Sequence, residues 1–202
     1  MARTGAKLGR QARARNPSQR PIPNLFFLTD PVRTPDPAKT MAHLPAGAAV
    51  IYRAFGARDA NSGGRALRKL ARARRLIFLV GADAGLAARL GADGVHLPER
   101  LMGLAPRLRQ AHPALLITTA AHGPRAVAAA ARLKLDAALV STVFASESPS
   151  AGEPLGPLRF AVLARQAGLP VIALGGIDRR TAGRLADTGA AGLAAIGGLI
   201  EV

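Results

Sequence analysis

Short apolar runs alternate with amphipathic segments along most of the chain, and the pattern predicts a (β/α)8 TIM barrel with a truncated or missing final helix. Three observations carry this prediction. The chain has eight such runs, each of four or five residues and each continuous rather than alternating, as expected of strands covered on both faces. A helix-like segment follows each of the first seven, and strict alternation of this kind implies a parallel sheet. The last two runs both end in glycine pairs, Gly175-Gly176 and Gly197-Gly198. In many eight-fold barrels the loops after strands seven and eight hold a phosphate on backbone N–H groups.

The elements follow in order. Residues 1–23 form a basic N-terminal tail ending in Pro21-Ile22-Pro23, expected to be mobile or loosely docked; the barrel domain runs from 24 to 202. Leu25–Leu28 is the first strand and ends at Thr29-Asp30. A weak helix over Pro37–Leu44 leads to the strand Ala48–Tyr52, and a clear helix over Gly63–Arg75 leads to Leu76–Val80. Ala84–Leu90 is a helix stopped by Gly91, where a left-handed cap is natural. The strand Gly94–Leu97, the helix Leu101–Ala111 and the strand Ala114–Thr118 come next. An alanine-rich helix over Pro124–Leu133, the strand Asp136–Val140 and the helix Leu158–Ala167 follow. The strand Pro170–Leu174, a helix over Arg179–Asp187 stopped by Gly189, and the strand Leu193–Ile196 complete the series. The turns before three strands look alike: Gly91-Ala92-Asp93-Gly94, Leu135-Asp136-Ala137 and Gly189-Ala190-Ala191-Gly192. The eighth helix would be at most a stub over Gly198–Val202. Its reduction leaves apolar strand surface beside the first strand, to be covered by the tail or by a second subunit, so a homodimer is one expectation.

Composition narrows the function class. The chain has 202 residues, enough for one domain with a substantial core. It has no cysteine, which excludes disulfides and Cys-ligated metal. No apolar run approaches the roughly 20 residues of a membrane helix, and the basic start has no apolar signal core, so a cytoplasmic protein is expected. The net charge is +16, with Arg outnumbering Lys by 24 to 4. Six of those charges lie in the tail, and others, including Arg65, Arg68, Lys69 and Arg72, lie on a predicted outer helix. With one tyrosine and no tryptophan to stack on bases, the charge reads as a solvated exterior rather than a specific nucleic-acid surface. It would still favour anionic small molecules.

Barrel chemistry sits at the carboxyl ends of the strands. Those ends bring together Thr29, Asp30, Arg53, Gly81, Asp83, His96, Glu99, Thr118, Thr119, His122, Ser141 and Thr142. Glycine amides at 175–176 and 197–198, with Arg53, suit a phosphorylated small molecule. Arg53 ends an otherwise apolar run, so its charge needs a partner. His122 or His96 could move a proton near neutral pH; equally, His96 could be an interior histidine and His122 a cap. The loop Ala145–Leu155, with Ser146 and Ser148, is a candidate lid or a plain loop.

LGADGVHLPE (90–99), ITTAAHG (117–123), LDAALVSTVFASES (135–148) and VIALGGI…GAAGLAAIGG (171–198), with LFFLTD (25–30) ahead of them, resemble the thiamine phosphate synthase/TenI family in the same order. The resemblance covers roughly residues 25–200 and implies a barrel. Synthases of this family join a pyrimidine pyrophosphate to a thiazole phosphate using Mg2+ and a carbocation-like pathway. The related thiazole tautomerases shift protons on a thiazole carboxylate phosphate without metal. The resemblance assigns phosphate binding to Gly175, Gly176, Ile177, Gly197 and Gly198, and it keeps Arg53 and His122. It also keeps the strand-four histidine, His96, and the strand-six hydroxyls, Ser146 and Ser148; with Thr118 at its strand end, these are the candidate substrate-binding residues.

This sequence also departs from the synthase pattern. The strand-two motif Gln-Phe-Arg-Glu-Lys becomes Ile51, Tyr52, Arg53, Ala54 and Phe55. The Asn-Asp pair after strand three becomes Gly81-Ala82, a later metal aspartate falls at Leu101, and the lysine of the strand-six loop is Pro149. The expectation is therefore a tautomerase-like isomerase or divergent paralogue acting on a thiazole phosphate, with His122 and Arg53 catalytic and no cofactor. The alternatives are a thiamine phosphate synthase, with Mg2+ if that activity is retained, and a non-catalytic binder of thiazole or thiamine phosphate.

Overall fold

All eight apolar runs form strands, in a computed structural model that describes residues 1–15, 20–146, 148 and 152–197. The strands are β1 (Leu25–Leu28), β2 (Ala49–Tyr52), β3 (Ile77–Gly81), β4 (Gly94–Leu97), β5 (Leu116–Ala121), β6 (Ala137–Val140), β7 (Val171–Ala173) and β8 (Gly192–Ala195). Each pairs in parallel with the next, and β8 returns to β1 through Leu25↔Leu193, Phe26↔Ala194 and Phe27↔Ala195, closing the barrel.

The pleat divides the strand residues between two cores. Phe26, Leu28, Ala49, Ile51, Leu79, Leu116, Leu139, Ile172 and Ala194 fill the barrel interior. Their neighbours Phe27, Val50, Phe78, Val80, Val95, Ile117, Val140 and Leu193 face outward, packed with Leu67, Leu86, Phe160 and Leu185 from the helices. Both faces are dry, which explains the unbroken apolar runs. Each fully buried Phe or Leu adds about 2 kcal/mol of hydrophobic stabilisation.

The helices are α1 (Ala2–Arg15), α2 (Pro37–Ala42), α3 (Ala60–Ala73), α4 (Ala84–Leu90), α5 (Ala105–Ala111), α6 (Pro124–Arg132), α7 (Gly156–Gln166) and α8 (Arg179–Ala182). Several differ from expectation for local reasons. The segment leading into α5 is a 3-10 turn over Glu99–Leu104, because Pro106 has no N–H to give an α-type bond. The helix expected over Arg179–Asp187 is one α turn followed by a 3-10 turn over Gly183–Leu185; Ala186 is already extended (ψ 135°) and the Thr188 hydroxyl takes the Leu185 carbonyl. β5 runs three residues beyond Thr118, because Thr119 pairs with Leu97 and Ala121 with Val140. His122 therefore follows the strand directly.

The largest difference is at the start of the chain. The basic segment expected to be mobile or loosely docked is helical over residues 2–15 and packs on β1 and β8. Leu8 is fully buried in the outer core, Gly5 and Gly9 lie close against Asn24, and Gln11 donates to Asp187 at 3.0 Å. Its charged residues Arg3, Lys7, Arg10 and Arg13 are exposed on the opposite side. This helix covers the seam for which a docked tail or a second subunit was expected, and so removes the reason for inferring a homodimer. The expected stub at 198–202 lies outside the described residues.

The resemblance among the three strand-entry turns has a physical basis. Asp93, Asp136 and Ala191 each donate their backbone N–H to the preceding strand, at Phe78, Ile117 and Val171 respectively, over 2.7–2.9 Å. In the first two, the side chain adds a second tie. Asp93 accepts from Phe78 N at 2.8 Å and holds Arg68 in a two-pronged pair at 2.7 and 2.8 Å. Asp136 accepts from Ile117 N and from Arg109, both at 2.7 Å. Arg68, expected on a solvated face, is thus a largely buried tie between α3 and the foot of β4.

Candidate functional site

A cavity of about 400 Å³ opens at the carboxyl ends of the strands, and its lining comes from one arc of the ring. That arc is β6, β7, β8, β1 and β2, which are contiguous because the barrel closes between β8 and β1. Ser141, Ser146 and Ser148 come from beyond β6, Gly175, Gly176 and Ile177 from beyond β7, Gly197 from beyond β8, Arg33 from beyond β1, and Arg53 from beyond β2. Leu28, Leu174, Ala195 and Ile196 supply an apolar floor.

The Gly175-Gly176 turn is fixed by close packing. Both residues have positive φ, 93° and 62°, a region that costs a side-chain-bearing residue energy. A Cβ on Gly175 would come within 2.8 Å of Thr142, and one on Gly176 would strike the Ala145 carbonyl and come within 2.8 Å of Phe144. The chain beyond β6 lies directly over the turn, with Val143 N donating to Leu174 O and Phe144 N to Gly175 O, both at 3.0 Å. Among the described residues, the N–H groups of Gly176, Ile177 and Gly197 donate to no protein acceptor. Backbone donors at a cavity wall need partners from outside the protein, and oxyanions suit them. Asp178, next in sequence, also lines the cavity but turns its carboxylate to cap α8, accepting from Arg180 N and Thr181 N at 2.8 Å. The Thr181 N–H bond leads the interactions that hold its pKa below the ordinary value, outweighing burial.

Arg53 is gripped from β1. Its Nε donates to Thr29 O at 2.7 Å, its backbone N–H to Thr29 Oγ1 at 2.9 Å, and its Nη2 to Asp30 Oδ2 at 3.1 Å. Its guanidinium stacks over Phe55, 4.9 Å from the ring centre. Gly81 makes room for it, since a Cβ there would come within 3.2 Å of Arg53 Cγ. Burial pulls its pKa down, and the positive charge of Arg33 adds to that pull against the opposing effect of Asp30.

Asp30 has a second guanidinium. Arg33 Nη2 reaches Asp30 Oδ2 at 3.3 Å, and the other carboxylate oxygen accepts from the N–H groups of Val32 and Arg33 at 3.1 and 2.9 Å. Burial pushes the Asp30 pKa up, but these N–H bonds and the two cations outweigh it and hold it below the ordinary carboxylate value. The sequence reading did not single out Arg33. The signal was available, because Asp-Pro-x-x opens a turn that brings its fourth residue back onto the aspartate.

The remaining candidates stand on the other arc, β3 to β5, and do not line the cavity. His96 points into the barrel interior, where Nδ1 is 2.9 Å from Thr118 Oγ1, and Thr118 is fully buried. Burial, with help from the Arg53 charge, pulls the His96 pKa down to about 4, so the ring is neutral. His122 is half exposed and held by Glu99, whose Oε2 lies 2.7 Å from His122 Nδ1 and accepts the His122 N–H at 2.9 Å. Gly198 lies outside the described residues.

A family profile described as thiamine monophosphate synthase matches residues 26–199. The chain belongs to that family. Named members include the thiamine-phosphate synthase of Alcanivorax borkumensis, 34% identical over 184 residues covering 85% of this chain and 82% of that protein. The thiamine-phosphate synthase of Chromobacterium violaceum is also 34% identical, covering 82% of this chain and 84% of its own. A solved thiamine phosphate pyrophosphorylase from Pyrococcus furiosus shares the fold, with a TM-score of 0.74 at 24% identity over 86% of this chain and 85% of that one.

Family synthases use Mg2+, which takes carboxylate and phosphate oxygens in near-octahedral geometry. Among the described residues, the rim carboxylates are committed elsewhere. Asp30 is engaged by two arginines, Asp83 accepts Leu86 N at 2.8 Å to cap α4, Asp178 caps α8, and Glu99 holds His122. Among the described residues, no three His, Asp or Glu side chains cluster. Among the described residues, these carboxylates do not fit a magnesium ion.

Proposed function

We propose that this chain catalyses the condensation of a pyrimidine pyrophosphate with a thiazole phosphate to give thiamine phosphate. The observation that carries the reading is the single cavity in which unpartnered backbone N–H groups at Gly176, Ile177 and Gly197 share a wall with Arg53 and Arg33. The names of the relatives support it: those that match over more than four-fifths of the chain are thiamine-phosphate synthases.

The chemistry asks for little acid–base work. The bond between the pyrimidine methylene and the diphosphate oxygen breaks, and its electron pair leaves with the diphosphate. The thiazole nitrogen donates its lone pair to the methylene carbon and forms the new C–N bond. No proton need move. The protein has to hold the thiazole phosphate still and stabilise the charge that develops on the leaving group. The glycine N–H groups suit the first task and the guanidiniums the second. Leu28, Leu174 and Ile196 exclude water from the reacting carbon.

The position of His122 favours this reading over a tautomer shift. A general base must reach the proton it removes, whereas His122 is tied to Glu99 away from the cavity lining. A second reading, a non-catalytic binder of the thiazole phosphate, draws on the carboxylates that do not fit Mg2+.

The test is incubation of the purified protein with both substrates, with Mg2+ and separately with chelator, following thiamine phosphate and released pyrophosphate. Product under either condition supports the condensation. No product under both, with thiazole phosphate still bound, supports the binder.

A further inference from the structure

The loss of the family's metal carboxylates and of the lysine at Phe55 leaves the question of what neutralises a second anionic group in this cavity. The answer lies in a residue outside the segments that carry the resemblance to the synthases. Arg33 lines the cavity together with Arg53, and both guanidiniums rest on one carboxylate oxygen, Asp30 Oδ2, at 3.3 and 3.1 Å. Two cations on one anion leave an excess positive charge. Asp30 also accepts two backbone N–H groups on its other oxygen, so it is held in place, positions the pair and cancels only one of the two positive charges. The two arginines differ. Arg53 is fixed by three hydrogen bonds to Thr29 and Asp30, whereas Arg33 has one longer side-chain contact and is a third exposed. Arg33 keeps most of its guanidinium donors for another acceptor.

The cavity is therefore bipolar along its arc. Backbone donors stand beyond β7 and β8, cations stand beyond β1 and β2, and apolar side chains form the floor. We propose that Arg33 is a specificity-determining cation which, with Arg53, holds a second oxyanion and so lets the cavity take a diphosphate-bearing ligand without a divalent metal. A guanidinium meets two phosphoryl oxygens through parallel N–H bonds and so substitutes for part of the neutralisation a metal would supply. The inference builds on the condensation reading, naming how its leaving group is held.

The test is calorimetric titration with inorganic phosphate and with inorganic pyrophosphate, in chelator and in Mg2+, on the whole chain and on three variants. In chelator the unaltered chain is expected to bind pyrophosphate more tightly than phosphate. Arg33→Gln is expected to weaken pyrophosphate about tenfold, the loss of one charge-assisted contact, and phosphate less than twofold. Arg33→Lys should recover part of the loss. Arg100→Gln, which removes the same charge from an exposed site outside the cavity, should change neither. The proposal is overturned if pyrophosphate binds only with Mg2+, if Arg33→Gln weakens both anions equally, or if Arg100→Gln matches Arg33→Gln. Each of these results leaves the condensation assay free to succeed, so the two readings fail separately.

Discussion

Arg53 and Asp30, at the ends of neighbouring strands, are joined at 3.1 Å with only 22% and 14% of their side chains exposed. A partly dry ion pair of this kind is worth more than a surface pair, and breaking it strands a charge. Asp30→Asn keeps an oxygen for the Val32 and Arg33 N–H groups and removes only the charge. It should cost about 1–3 kcal/mol in urea unfolding. Asp30→Ala also removes the turn's acceptor and should cost more. Equal losses would mean that the charge, not the turn, is what Asp30 supplies.

Gly176→Ala should damage the fold and the anion site together. The new methyl meets the Ala145 carbonyl and Phe144 at a residue with φ of 62°, and a loss of at least 2 kcal/mol with failure to bind phosphate is expected. Gly183→Ala, at φ −61° with nothing within 4 Å, is the internal control. It should be neutral or stabilise by about 0.5–1 kcal/mol. Thermal melts with and without phosphate read both variants.

His122→Ala should leave condensation within about threefold of the parent, since the residue is paired with Glu99 outside the cavity lining and a lost general base typically costs 100-fold or more. A 100-fold loss in steady-state rate would return the histidine to the mechanism.

His96 makes stability depend on pH. Its folded pKa is about 4 and its unfolded value about 6.5. Between the two, the unfolded chain binds a proton that the folded chain does not. Stability therefore rises with pH across this window, by at most about 1.4 kcal/mol per pH unit, and the contribution is complete above 6.5. Urea unfolding at pH 5 and at pH 7 should show the slope, and His96→Gln should flatten it. Parallel profiles for the two proteins would mean that His96 does not titrate in this range.

Fold and site were legible in the sequence to different depths. The strands could be read because each is dry on both faces, so burial alone writes their pattern. The Gly175-Gly176 turn could be read because only glycine tolerates the backbone there. The start of the chain could not, since its helix owes its place to one buried side chain, Leu8, among many charges. Strand-end position places His96, His122, Thr118 and Arg53 on one rim, but it does not say which arc of that rim a cavity occupies. That is decided by where the loops beyond β6 and β1 fold back. Arg33 went unread because its role depends on a turn geometry rather than on its neighbours in a motif.

The closure between β8 and β1 has a consequence for the order of events in folding. Arg33 and Gly197 belong to opposite ends of the chain and face one cavity only once Leu25, Phe26 and Phe27 have found Leu193, Ala194 and Ala195. No fragment that lacks this last join contains the whole cavity. Ligand occupancy thus reports a finished ring. An anion bound across the join acts as its clasp, adding about 2.7 kcal/mol against opening at a hundredfold excess over its Kd.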